Sequence, residues 1–162
     1  MPSLTQEQAL AVFEYKNGEL YWKIRPCNSI QAGEKVGSLD RSGYLRFKYK
    51  NHRLLVHRVI YLIHKGHMPD IIDHIDNNKL NNNIKNLREA TKSQNCLNKK
   101  IRKDSFSGIK NVCWSNQNNK WKVGITNNKK RIHIGYFTDI EEAKIAAIQF
   151  GKQFHGTFYR EA

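Results

Sequence analysis

Residues 72–98 read IDHIDNNKLNNNIKNLREATKSQNCLN, and this stretch decides how the rest of the 162-residue chain is read. Asp73 and His74 stand side by side after Ile72, in what reads as an extended segment. Side chains alternate along a strand, so the two point to opposite faces. One can hold a cation while the other reaches a substrate. Asn77, Asn78, Asn81, Asn82 and Asn83 then fill the interval before the apolar pair Ile84 and Leu87. Asparagine tolerates left-handed backbone angles and caps its own turns, so the interval reads as an ordered surface loop. Thr91-Lys92-Ser93-Gln94 is a T-x-x-Q capping box opening a short helix with Asn95 in its first turn. The expected order is strand, loop, strand, helix, with Asp73, His74 and Asn95 close together.

The same residues follow the pattern D-H-I-D/N, then N-x-x-x-N-L-R-x-x-T-x-x-x-N. This resembles the ββα-metal motif of HNH endonucleases, in the phage and intron homing subgroup whose last histidine is replaced by asparagine. The resemblance implies that His74 is the general base activating water. Asp73 and Asn95 would hold one divalent cation against the scissile phosphate, while Asn86 braces the loop and orients the His74 ring. Phosphodiester hydrolysis needs a nucleophile deprotonated near neutral pH and a cation to neutralise developing charge. Oxygen ligands with positions left open for water and phosphate suit Mg²⁺ or Mn²⁺, and no zinc is expected.

The formal charge is +14, with 28 Lys and Arg against 14 Asp and Glu. Both parts of the chain contribute: 15 against 9 over residues 1–96, and 13 against 5 over residues 97–162. Such a surface attracts polyanions, nucleic acid above all. No basic amphipathic helix suited to an anionic membrane is apparent. No apolar run approaches the roughly 18 residues of a membrane span, and no signal peptide opens the chain. Cys27, Cys96 and Cys113 form neither a disulfide framework nor a zinc ribbon, which leaves a reducing, cytoplasmic setting as the expectation.

Ahead of the motif, Thr5-Gln6-Glu7-Gln8 opens a short helix expected to end before the Asn17-Gly18 turn. Residues 20–24, 43–49 and 53–56 read as antiparallel strands. Arg46, Lys48 and Lys50 line one face, which suits phosphate contact, although a solvated strand shows the same alternation. The spacing of Val59, Ile60, Leu62 and Ile63 predicts a buried helix over residues 57–65, stopped by Gly66 and Pro69. His57-Arg58 resembles the V-H-R element of HNH relatives, and packing or phosphate contact is expected of His57 ahead of catalysis. Arg88 is a further expected DNA contact. His64 and His67 form H-x-x-H without a Cys or Glu partner and read as surface residues.

A basic connector, Lys99, Lys100, Arg102 and Lys103, marks the expected domain boundary and would track phosphates. Beyond it, residues 109–114, 120–126 and 131–137 are strand-like. Thr138-Asp139-Ile140-Glu141 reads as a capping box for a helix bearing Ala143, Ala146, Ala147, Phe150 and Phe154 at helical spacing, closed by His155-Gly156. The segments SGIKNVCW, KWKVGI, KRIHIGYF, EEA and HGTF resemble the plant ethylene-response-factor (APETALA-type) DNA-binding domain. That likeness implies a sheet lying in the major groove, with Lys110, Trp114, Trp121, Lys122 and Arg131 as contacts. Lysine stands where plant members carry arginine at positions 110 and 122, and lysine is a point charge without the guanidinium fork. Either tryptophan would alternatively be core.

The chain is thus expected to be α+β. Antiparallel strands and a helix lead into an HNH motif, and a three-stranded antiparallel sheet packed on one helix follows. The expected domains are 1–98 (nuclease, core motif 72–98), 99–106 (basic linker) and 107–160 (DNA-binding). The function implied is a metal-dependent, phage homing-type endonuclease that nicks or cuts double-stranded DNA, with monomer and homodimer both open. The alternative is a DNA-binding regulator with an inactive nuclease site.

Overall fold

A computed structural model of the chain describes residues 4–98, 100–101, 104–127 and 130–161. It is α+β and divides into two compact units, Met1–Ala90 and Thr91–Ala162. The division falls eight residues ahead of the boundary expected from the sequence. The expected linker contacts Lys99, Arg102 and Lys103 lie outside the described residues.

The first unit opens with helix α1 (Gln6–Val12), whose N-terminus carries the Thr5–Gln8 capping box. The helix stops well short of Asn17-Gly18, because Phe13–Lys16 is a strand, β1, paired with β2 (Glu19–Trp22). The turn chemistry explains the early stop. Asn17 and Gly18 adopt φ of 50° and 90°, the two positive values of a type I′ turn, which joins strands on both sides. Strand β3 (Ser38–Leu39), β4 (Leu45–Tyr49) and β5 (His52–Leu55) form a second antiparallel sheet in that order. Helix α2 (Val56–Lys65) follows without a break and ends at Gly66, in the left-handed region at φ 76°.

The core of this unit gathers Ala9, Phe13, Leu20, Trp22, Val36, Val59 and Ile60. Phe13 sits 4.9 Å from Trp22 and 5.4 Å from Phe47, tilted and edge-on. Such pairs add about 0.5–1.5 kcal/mol each beyond the area they bury. Packed against α2 are a short hairpin and its loop. Strand β6 (Ile72–His74) pairs antiparallel with β7 (Leu87–Glu89), Asp73 opposite Arg88 and His74 opposite Leu87. The residues between them form the Asn-rich loop.

The second unit begins with α3 (Lys92–Leu97), capped by the Thr91–Gln94 box. Its sheet runs β10 (Lys130–Phe137), β9 (Lys120–Asn127), β8 (Val112–Ser115), all antiparallel. Helix α4 (Ile140–His155) packs on it. Asp139 caps α4, accepting from the Glu141 amide at 2.6 Å; the expected cap was Thr138. A carboxylate at the N-cap also meets the positive end of the helix dipole, which a hydroxyl does not. Ala143 and Ala147 are buried against Val112 and Val123. The next residue on that face is Gly151, where a Cβ would come within 2.2 Å of the Tyr159 ring. Phe150 and Phe154 stack 6.4 Å apart and are only half-buried. The helix–sheet contact is thus built from small residues, not from the aromatic end of the stripe. No helix among the described residues is long and apolar enough to cross a membrane.

Candidate active site

Four polar residues of the first unit are almost wholly removed from solvent: His57 (5% exposed), Asp73 (4%), His74 (5%) and Asn82 (2%). Buried polar groups of this kind cost stability unless they are hydrogen-bonded, so their concentration in one place needs a reason. They converge on the β6–β7 hairpin and the first turn of α2. His74 Nε2 lies 2.9 Å from Oδ1 of Asn82. The His57 ring stands 5.0 Å from the His74 ring, edge to face at 67°, and Tyr44 lies 5.2 Å from His57 and 6.1 Å from His74. Two buried atoms here have no hydrogen-bond partner, His57 Nδ1 and Asn82 Nδ2.

Asp73 is held from across the hairpin. Arg88 donates from Nε at 2.9 Å and from Nη2 at 2.8 Å, both to Oδ2. Arg88 was expected to touch DNA; its guanidinium is instead committed to the acid opposite, since cross-strand partners share a face. Arg58, half-buried, is likewise committed within the unit, donating to the Pro69 carbonyl at 2.7 Å and the Asp70 carbonyl at 3.0 Å. It ties the chain leaving α2 to the approach of β6. The phosphate contact expected of His57 is equally excluded by its burial on the inner face of α2. Burial, then the neighbouring His74 and Arg58, pushes the His57 pKa down to about 3, so its ring is neutral at neutral pH.

The loop has its own scaffold. Asp76 Oδ1 accepts from the Asn78 amide at 2.8 Å and from Asn86 Nδ2 at 2.9 Å, while Asp76 Oδ2 accepts from Asn81 Nδ2 at 2.7 Å. Burial pushes the Asp76 carboxyl up, but these bonds and the nearby His74 outweigh it and leave its pKa below the ordinary value. Asn86 Nδ2 also donates to the Asn81 carbonyl at 2.8 Å, and its Oδ1 accepts from the Asp76 amide at 3.1 Å. Asn86 therefore braces the loop. The ring-orienting contact assigned to it falls to Asn82, four residues earlier, because Asn86 has turned its side chain inward on the loop. Sequence reading passed over Asn82 as one asparagine in a run; its place four residues before Asn86 was the available signal.

Hard oxygen donors suit a divalent cation at this hairpin, and Asp73 supplies one. Among the described residues, no group of three or more His, Cys, Asp or Glu is arranged to hold a metal ion. The donor chemistry at Asp73 fits a cation that takes most of its ligands from water and phosphate oxygens. Asn95 lies on α3 of the second unit, and its role as a ligand rests on the resemblance alone. His64 Nδ1 is 2.9 Å from the Ile60 carbonyl, and His67 Nε2 is 3.3 Å from Glu89.

In the second unit the expected DNA contacts separate into three groups. Lys122 and Arg131 stand on the sheet face away from α4: Val123 and Ile125 point inward, and Lys122 pairs with Tyr136 and Thr126 with Arg131. Arg131 lies flat across Gly124, where a Cβ would meet its Nε at 3.2 Å. Trp114 is 40% exposed, whereas Trp121 packs against the core with its ring 5.0 Å from Trp114. Lys110 points inward, donating to the carbonyls of Leu97 and, at 3.4 Å, Arg160, and burial lowers its pKa. Its side chain closes the C-terminal segment and is not on the solvent face of the sheet.

A buried acid–histidine pair on a two-stranded hairpin, in a strongly basic chain, has the form of a nuclease site. The family follows from comparison: residues 54–97 match the HNH endonuclease family. The chain is 35% identical over 89 residues to protein 3.8 of Escherichia phage T7, covering 55% of this chain and 73% of that protein. It is 42% identical over 98 residues to an uncharacterized HNH endonuclease of Acanthamoeba polyphaga mimivirus, covering 58% of this chain and 51% of that one. No solved structure matches the chain. Residues 54–97 thus form an HNH endonuclease domain.

Proposed function

We propose that the protein is a metal-dependent endonuclease that hydrolyses phosphodiester bonds in double-stranded DNA, of the phage homing type. The observation carrying this reading is the buried Asp73-His74 pair on β6, inside the family-matched segment. His74 is the base. It takes a proton from water, and the resulting hydroxide oxygen attacks phosphorus in line with the O3′ bond. The P–O3′ bond breaks, O3′ takes a proton from solvent, and the products carry 3′-hydroxyl and 5′-phosphate ends. Asp73 would hold the Mg²⁺ or Mn²⁺ ion, which when bound neutralises charge on the phosphate and the leaving oxygen. Asn86 keeps the loop in register with the hairpin.

In the second unit, the sheet face bearing Lys122 and Arg131 would contact the duplex in the manner of an ethylene-response-factor domain. Phosphate contacts of this kind position the protein, and a guanidinium can also read a guanine edge.

The test is cleavage of supercoiled plasmid bearing the target, with Mg²⁺ and with EDTA. Wild type should cut only with the metal. His74→Ala should bind equally well and cut about 10²–10⁴-fold more slowly, the range for a general base. Equal cutting by the variant would sink the mechanism. Tight binding with no cutting in either metal would leave a DNA-binding regulator with an inactive nuclease site. A nicked circle would indicate a monomer acting alone, and a linear product paired action.

A further inference from the structure

The HNH reading makes His74 a base without saying which ring nitrogen does the work or what holds the ring. We propose that Asn82 is the positioning residue: its Oδ1 accepts the Nε2–H of His74, fixes the proton on Nε2, and leaves Nδ1 to take the proton from water. The proposal rests on the assignment of His74 as base.

A neutral imidazole has one N–H and one lone pair. A carboxamide oxygen can only accept, so a ring nitrogen 2.9 Å from Asn82 Oδ1 must be the one bearing hydrogen. The bond is buried at both ends, where it is stronger than in water and where losing it strands two polar groups. The amide turned the other way would donate from Nδ2 to Nε2 and put the ring proton on Nδ1. That tautomer offers a base no lone pair outside the buried bond.

Asn82 can impose this choice because its own backbone is clamped. The β1–β2 turn presses against it: a Cβ at Gly18 would fall 3.0 Å from the Asn83 nitrogen and 3.4 Å from the Asn82 carbonyl carbon. Only a glycine, already at φ 90°, lets that turn come so close. The Asn82 amide donates to the Leu80 carbonyl at 3.1 Å. On one side Asn86 Nδ2 holds the Asn81 carbonyl; on the other, the Ile84 amide donates to the Tyr15 hydroxyl at 3.2 Å. Beside the imidazole, the His57 ring at 5.0 Å and 67° resists rotation of His74 about its Cβ–Cγ bond. A base held by two elements loses little entropy in reaching the reactive geometry.

The first arm of the test needs no activity. The full chain is labelled with ¹⁵N, and the His74 ring resonances are assigned by their loss in His74→Gln. Above the titration range, an Nε2-protonated pattern is expected; an Nδ1-protonated ring overturns the proposal even if the protein cuts DNA. The second arm is kinetic. Asn82→Leu matches the side chain in size but cannot accept, and kcat should fall about 10²-fold with KM unchanged. Asn82→Asp keeps the acceptor and should recover most of the rate. Unchanged kcat in a folded Asn82→Leu, or no recovery with Asp, overturns it. If wild type never cuts, the family mechanism fails while the tautomer is still decided by the spectrum. If Asn82→Leu does not fold, the wild-type spectrum alone decides.

Discussion

The two units use the same basic residues for opposite purposes. In the first, Arg58 and Arg88 are turned inward, one onto backbone carbonyls and the other onto Asp73. In the second, Arg131 lies on the outer face of a sheet whose inner face presents Val112 and Val123 to Ala143 and Ala147 of a helix. The first unit spends its cations on holding a polar site together under an aromatic core. The second keeps a plain apolar interior and leaves charge at the surface. A count of Lys and Arg therefore overstates the electrostatic footprint of the first unit.

Arg88 is where that contrast breaks hardest. Its ion pair with Asp73 has 15% and 4% of the two side chains exposed. Removing one partner of such a pair leaves a buried charge and typically costs about 3–5 kcal/mol. Arg88→Met should destabilise the first unit by that order, seen in urea unfolding and in faster hydrogen exchange of the β6 and β7 amides. The double variant Asp73→Leu, Arg88→Met should lose clearly less than the single one, because no orphaned carboxylate remains. Equal losses would mean that side-chain volume, not charge, holds the hairpin.

A smaller effect separates the units by pH. The groups facing His57 are His74, Tyr44 and Arg58, and burial with the charges of His74 and Arg58 holds its pKa at about 3. The unfolded imidazole takes a proton near pH 6.5 that the folded one refuses. The stability His57 contributes is therefore complete above pH 6.5 and is lost as pH falls from there toward about 3. The loss runs at roughly 1.4 kcal/mol per pH unit, or about 2 kcal/mol by pH 5. His57→Phe keeps a ring against His74 and should flatten that part of the stability–pH curve. An unchanged slope would show that His57 is protonated in the folded chain.

Much of this was legible in the sequence, and the misses share one cause. The capping boxes at Thr5 and Thr91 and the Gly66 stop are local chemistry, written within four residues, and appear in the structure where the sequence puts them. The Asp-His hairpin was equally plain, since β6 and β7 pair antiparallel on either side of the loop, in the expected order of strand, loop and strand. Strand β1 was missed because an amphipathic FEYK continues a helical stripe as well as it starts a strand. The positive φ of Asn17 decides between them. What could not be read was direction. Charge alone predicts that Arg58, Arg88 and Lys110 face outward, but each turns onto a carbonyl or an acid supplied by distant chain. Asn82 was hidden for the converse reason: composition does not tell the buried member of a run of asparagines from the rest, and only its place four residues before Asn86 sets it apart.

The smallest effect tests the outward half of the contrast. If Lys122 and Arg131 meet phosphates, each neutralised phosphate adds about 0.9 to the magnitude of the slope of log K against log salt. Lys122→Ala and Arg131→Ala should each reduce that magnitude by about 0.9, and the pair by about twice as much, with only a few-fold loss of affinity at moderate salt. Arg58→Ala and Lys110→Ala remove the same formal charge from positions turned inward. They should leave the slope unchanged and lower stability instead. Binding isotherms on one duplex across a salt series distinguish the two classes, provided each variant is shown folded. If all four variants shift the slope equally, net charge governs binding and the direction of a side chain is irrelevant to it. If only the two sheet residues do so, the DNA-facing charge of the second unit is defined by the strand alternation that turns Lys122 and Arg131 away from Val123 and Ile125.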